Sequence, residues 1–164
     1  MIHRNTPDIF TRLFAEAHTY AWHLETQDDY GAAEGASYDP WSPLVQATVA
    51  RGVQIQRTRI VTTPHSAYVE WLLSRTGSAI ANGEDIRWLP RHLAGPQDQA
   101  ADDCWLIDGR LVAYTLFSES GGPAGIAITT EERQVQLYRD IYLRAWKQAI
   151  KHEDYIRTEY AGRQ

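Results

Sequence analysis

The sequence predicts an α/β domain with a mixed central sheet flanked by helices. Three observations carry this. Segments with a helical apolar period alternate with segments of period two along the chain. The stretch from Val53 to Thr62 (VQIQRTRIVT) is rich in β-branched residues and alternates as a strand does. The stretch from Cys104 to Phe117 is divided by Asp108-Gly109, a pair suited to the left-handed backbone of a two-residue hairpin turn.

Each element has its own reason. Thr6 as N-cap, Pro7 at the first position and Asp8 at the positive end open a helix. Its apolar stripe is Phe10, Leu13, Phe14 and Ala17. From Thr19 to Thr26 the pattern becomes a strand: Trp22, Leu24 and Thr26 face one way, Ala21, His23 and Glu25 the other. Asp28, Asp29 and Gly31 mark a turn, and residues 31–40 (GAAEGASYDP) are small, aperiodic and hence a loop. Ser42 as cap and Pro43 begin a second helix, with Leu44, Val45, Thr48 and Val49 inward and Gly52 as a left-handed stop.

After the Val53–Thr62 strand, Thr63-Pro64 opens a third helix carrying Tyr68, Trp71 and Leu72 and ending near Gly77. Asn82-Gly83 turns the chain into a strand from Asp85 to Leu89, closed by Pro90. The hairpin follows, then a Gly121-Gly122-Pro123 loop and a short strand from Ala124 to Thr129. Thr129 with Glu132 forms a capping box for the last helix. Val135, Tyr138, Ile141, Tyr142, Ala145, Trp146 and Ala149 are its inward face.

Composition narrows the function classes. A chain of 164 residues is read as one domain, 1–164, with 43% hydrophobic and 23% charged residues. A single cysteine, Cys104, excludes a disulfide framework and a cysteine-rich zinc site, and its neighbours Asp102 and Asp103 make it inert. No apolar run approaches the roughly 20 residues that span a bilayer, and MIHRNTPDIF has no signal core, so a cytoplasmic address and no membrane partner are expected. A net charge of −5 argues against direct nucleic-acid binding. The six histidines show no metal-ligand spacing, and there is no P-loop, no Gly-x-Gly-x-x-Gly and no Gly-x-Ser-x-Gly, so neither metal nor cofactor is expected.

Arg57 and Arg59 are the leading site candidates. Two residues apart on one strand, their guanidinium forks project from one sheet face and suit a carboxylate or phosphate. A helix start at Thr63-Pro64-His65 adds backbone donors. Arg87 on a neighbouring strand extends the cluster, Trp22 and Trp105 supply walls, and Glu25 and Asp108 are acids within reach. The expected ligand is a small anion or an acidic peptide group. The alternative is that the chain's own acids, Glu25, Glu84 or Asp108, answer both arginines. A rival from another class is a small transferase or hydrolase using His23 or His65 with Glu25 or Asp108. A homodimer is left open.

Two resemblances emerge from the quoted segments. AWHLETQDDYG, RGVQIQRTRIVTTPHSAYVEW, NGEDIRWLPR, CWLIDGRLVAYTLF and YRDIYLRAWKQA together resemble an actinobacterial family known only as a domain of unknown function. Its members are short stand-alone proteins often encoded near helix-turn-helix regulators, which implies such a regulator as partner. Residues 50–150 are similar in element order to one half of a phospholipase-D-like domain, with 1–49 as an N-terminal helix–strand addition.

The phospholipase-D-like signature is His-x-Lys, four residues, Asp, then Gly-Ser-x-Asn. With its Asp on Asp108, Ala101 takes the histidine place, Asp103 the lysine place, and Thr115 and Leu116 the Gly-Ser places. A chain without that histidine has no phospho-enzyme nucleophile. The resemblance therefore implies a degenerate fold and a non-catalytic regulatory or ligand-binding protein.

Overall fold

A computed structural model describes residues 1–4, 8–31 and 41–162. In chain order the elements are β1 (Ile2–Arg4), α1 (Ile9–Ala15), β2 (Tyr20–Glu25), α2 (Trp41–Ala50), β3 (Gln54–Val61), α3 (Ala67–Ala81) and β4 (Glu84–Pro90). They continue with α4 (Pro96–Gln99), β5 (Cys104–Ile107), β6 (Leu111–Phe117), β7 (Pro123–Thr129), α5 (Glu132–Gln148), β8 (Ile150–Lys151) and α6 (His152–Tyr155). The strands form one mixed sheet in the order β1-β7-β6-β5-β2-β3-β4-β8. β2, β3 and β4 run parallel, joined through α2 and α3, and every other pairing is antiparallel.

Alternation sorts the sheet into two faces. Ala21, Ile55, Trp105, Ile107, Ala113 and Ile126 bury one face with Leu13 and Phe14 of α1 and Val45 of α2. Trp22, Leu24, Ile60, Leu89, Cys104, Leu106 and Val112 bury the other under α5, through Val135, Tyr138, Ile141 and Ala145. A smaller cluster of Val61, Val69, Trp88 and Tyr155 lies where α3 and α6 meet the sheet. The short strands β1 and β8 went unanticipated: three and two residues are too few to show a period.

Local signals and structure differ in a few places. α3 does not open at Thr63-Pro64; Ser66 caps it, its hydroxyl accepting from the Val69 amide at 3.2 Å. It runs past Gly77 to Ala81, because one glycine costs only about 1 kcal/mol and four further residues complete about one more turn. α2 already begins at Trp41, so Ser42 and Pro43 lie in its first turn. Glu131 precedes α5, and the Thr129 hydroxyl accepts from the Glu131 amide. The Thr6-Pro7 cap and the loop at 31–40, apart from Gly31, lie outside the described residues.

The β5–β6 turn is as expected. Asp108 and Gly109 both take positive φ, 50° and 65°, the pair of left-handed residues that matches strand twist.

Candidate functional site

Register builds the site. On β2 and its neighbours, His23 stands between Trp105 of β5 and Arg57 of β3, and Glu25 stands beside Arg59. All five share one face, because each strand contributes residues of one parity. Trp105 and His23 stack at 4.3 Å and 5°. The Arg57 guanidinium lies 5.8 Å from the Trp105 ring centroid, and that of Arg59 lies 5.0 Å from Trp88.

Both arginines are answered from within. Arg57 Nη1 donates to Glu25 Oε1, while its Nε and Nη2 donate to Glu84 Oε1 at 3.2 and 3.0 Å. Arg59 Nε donates to Glu25 Oε2 at 2.9 Å and its Nη1 to the Thr76 hydroxyl at 2.8 Å. The arginines are 9% and 8% exposed, so these bonds operate out of bulk water. Burial alone would raise the Glu25 carboxyl, but Arg57 and Arg59 outweigh it and hold the group down to about 2. For Arg57, burial works against the charged form, and Glu84 and Glu25 more than offset it, so its value is raised. Among the described residues two cations here face two carboxylates, so the positive charge of the pair is already compensated.

A concavity of about 450 Å³ opens beside this cluster, lined by His23, Glu25, Arg57, Asp103, Thr115 and aromatic residues from five elements and the Tyr30 segment. Burial, then Arg57, pushes His23 down to about 3, so its imidazole is neutral. Its Nδ1 is buried without a hydrogen-bond partner among the described residues, and it faces Glu25 Oε1 at 3.5 Å. At the rim the Tyr30 hydroxyl donates to Asp103 Oδ2, and Asp103 Oδ1 accepts from the Thr26 amide (3.0 Å) and hydroxyl (2.6 Å). Burial raises Asp103 above the usual carboxylate range, although Thr26 and Tyr30 pull the other way.

Asp28 secures the same segment from the far side, accepting from the Thr62 amide and hydroxyl at 2.8 and 2.6 Å. Tyr30, Asp103, Tyr68 and Phe117 were not among the site residues expected from the sequence. The usable signal was Asp103, which falls on the lysine place of the phospholipase-D-like signature.

Four expected site residues lie elsewhere. Trp22 points to the opposite face, donating through Nε1 to Thr58 at 2.9 Å under α5. Arg87 pairs in register with Thr58 and not with Arg57, so it too faces α5. It is held by Asp85 at 3.2 Å and lies 3.8 Å over the Trp146 ring. His65 is not at a helix start: its Nδ1 donates to the Thr62 carbonyl at 2.9 Å and its Nε2 accepts from the Tyr155 hydroxyl at 2.8 Å. It lines a separate hollow with Thr63, Pro64 and Tyr160.

Asp108 braces the hairpin. Its carboxylate accepts from the amides of His18, Thr19 and Tyr20 and from the Thr19 hydroxyl, all at 2.8–2.9 Å. Burial would raise it, but these amides outweigh that effect and its value is lowered. Asp108→Ala is therefore expected to cost about 2 kcal/mol in urea unfolding, with no change in what the concavity binds.

Cys104 is buried, and burial pushes its thiol well above the ordinary value. Among the described residues no three or more His, Cys, Asp and Glu side chains gather as a metal site, and no helix is long and apolar enough to cross a membrane.

The architecture is that of the phospholipase-D-like class. Nuc from Salmonella typhimurium, a phospholipase D family member, superposes with a TM-score of 0.54 at 10% identity, covering 92% of this chain and 95% of that one. NucT from Helicobacter pylori superposes with a TM-score of 0.57 at 9% identity, covering 92% and 97%. At these identities the likeness is one of fold.

Over residues 33–157 the sequence matches the family described as a domain of unknown function (DUF6879), and the chain belongs to that family. No curated protein matches it.

Proposed function

We propose that the chain is a non-catalytic ligand-binding protein that uses the concavity beside the arginine–glutamate cluster. One coincidence of position carries this. Asp103 and Thr115, which occupy the lysine and glycine places of the phospholipase-D-like signature, line the same hollow as His23, Glu25 and Arg57. A hollow of about 450 Å³ with aromatic walls and a few convergent polar groups has the character of a small-molecule site.

The rival enzyme loses its main support. His65 lies in a different hollow from His23. His23, pushed down to about 3 by burial and Arg57, is a poor general base near neutral pH. The tyrosine hydroxyls of Tyr30 and Tyr68 are raised by burial and stay protonated. The regulatory part of the proposal, in which an occupied hollow alters docking of a helix-turn-helix regulator, rests on the sequence resemblance alone.

Thr115→Trp fills the hollow from β6. Small-molecule fragments detected by ligand-observed NMR are expected to bind the wild type and to lose binding in this variant. The same wild-type preparation is expected to leave bis(p-nitrophenyl) phosphate intact. Hydrolysis abolished by His23→Phe, or fragments indifferent to Thr115→Trp, would overturn the proposal.

A further inference from the structure

We infer that the ligand of this concavity is a flat, uncharged ring that donates one hydrogen bond, received by His23 Nε2. The inference rests on the binding reading above and names its ligand class.

Shape comes first. Phe10, Tyr30, Trp41, Tyr68, Trp105 and Phe117 supply the walls, and ring faces favour a planar partner held by stacking or edge contacts. Several walls are already braced by each other: Phe10 meets Trp41 edge-on at 5.4 Å, and Trp41 lies 5.7 Å from Trp105. The hollow thus exists before a ligand arrives.

Charge comes second. Glu25 and Glu84 together neutralise Arg57 and Arg59. An incoming carboxylate or phosphate would meet Glu25 and would have to draw Arg57 away from two buried carboxylates. An incoming cation would face Arg57, and the other carboxylate of the lining, Asp103, already accepts from Thr26 and Tyr30. Either ion loses its water without a free counter-charge, whereas a neutral ring does not pay that cost.

The donor comes third. His23 Nδ1 is shut off from solvent, makes no hydrogen bond among the described residues and faces Glu25 Oε1 at 3.5 Å. A carboxylate at that distance attracts an N–H and repels a lone pair, so the proton of the neutral imidazole resides on Nδ1. Nε2 is then an acceptor, and it is the ring nitrogen left for a ligand. The stack on Trp105 fixes the plane in which a donor must approach.

Calorimetric titration with three probes tests this: indole, 1-methylindole and benzoate. Indole is expected to bind the wild type at least tenfold tighter than 1-methylindole, and benzoate more weakly than either. His23→Phe retains the stack on Trp105 and removes the acceptor, so the two indoles are expected to bind it equally. Phe117→Ala, which removes a wall, is expected to weaken both indoles alike.

Equal affinity for the two indoles in the wild type overturns the inference, as does discrimination that survives His23→Phe. Tighter binding of benzoate also overturns it while leaving the hollow a binding site. Failure of every probe, with the fold intact by circular dichroism, removes the binding reading itself.

Discussion

Glu25→Gln is expected to destabilise the fold by about 3–5 kcal/mol, as breaking a buried ion pair does. The carboxylate stands between Arg57 and Arg59 and, among the described residues, is the only acid hydrogen-bonded to both. Glu84 reaches Arg57 alone, so among the described residues the amide isostere leaves the buried charge of Arg59 without a hydrogen-bonded carboxylate, met by Thr76, the Trp88 ring and at most a neutral amide oxygen. In a chain of this length 1 kcal/mol moves the thermal midpoint by roughly 2–4 °C, so a fall of roughly 6–20 °C is expected. A loss below about 1 kcal/mol, typical of exposed pairs, would mean that the network is not closed.

Acid is expected to erode stability earlier than carboxylates alone would allow. His23 has an ordinary value of 6.5 and a folded value of about 3. Between these the unfolded chain holds a proton that the folded chain does not, so stability rises with pH across that window, by about 1.4 kcal/mol per unit at most. Glu25 acts in the same direction at lower pH. Its contribution is full above its ordinary value of 4.5 and is lost as pH falls towards about 2.

Urea midpoints measured from neutral pH downward should therefore fall below about pH 6.5 in the wild type. In His23→Phe the slope between 6.5 and 4.5 should be much reduced, leaving a part of the same sign from His152, whose value burial lowers, and an opposing part from Asp103, whose value burial raises. An unchanged slope in the variant would assign the acid sensitivity elsewhere.

Much of the architecture was legible because period and turn chemistry are local properties. The alternation of Val53–Thr62 and the Asp108-Gly109 pair located β3 and the β5–β6 hairpin from a handful of residues. Pairing between strands is not local. Whether Arg87 joins Arg57 depends on a register in which Ile86, and not Arg87, stands beside Arg57, and a one-residue difference moves a side chain to the other face. The alternation of β2 did separate Trp22 from Glu25, so placing both in one pocket set strand parity aside.

The acids that neutralise the arginines were visible as Glu25 and Glu84, but only the folded register chose them over Asp108. Asp108 belongs instead to the turn chemistry that its own pair with Gly109 announced. Tyr30 and Asp103 are 73 residues apart, and no spacing rule joins them.

The central claim is that the buried arginines are satisfied by the chain's own carboxylates. The coupling free energy between Glu25 and Arg57, from Glu25→Gln, Arg57→Met and the double variant, tests it most directly. A coupling of about 2–3 kcal/mol is expected for partners that share a buried network. Additive losses, with a coupling within about 0.5 kcal/mol of zero, would show that the two groups do not depend on each other and would return Arg57 to the pool of residues awaiting a charge from outside.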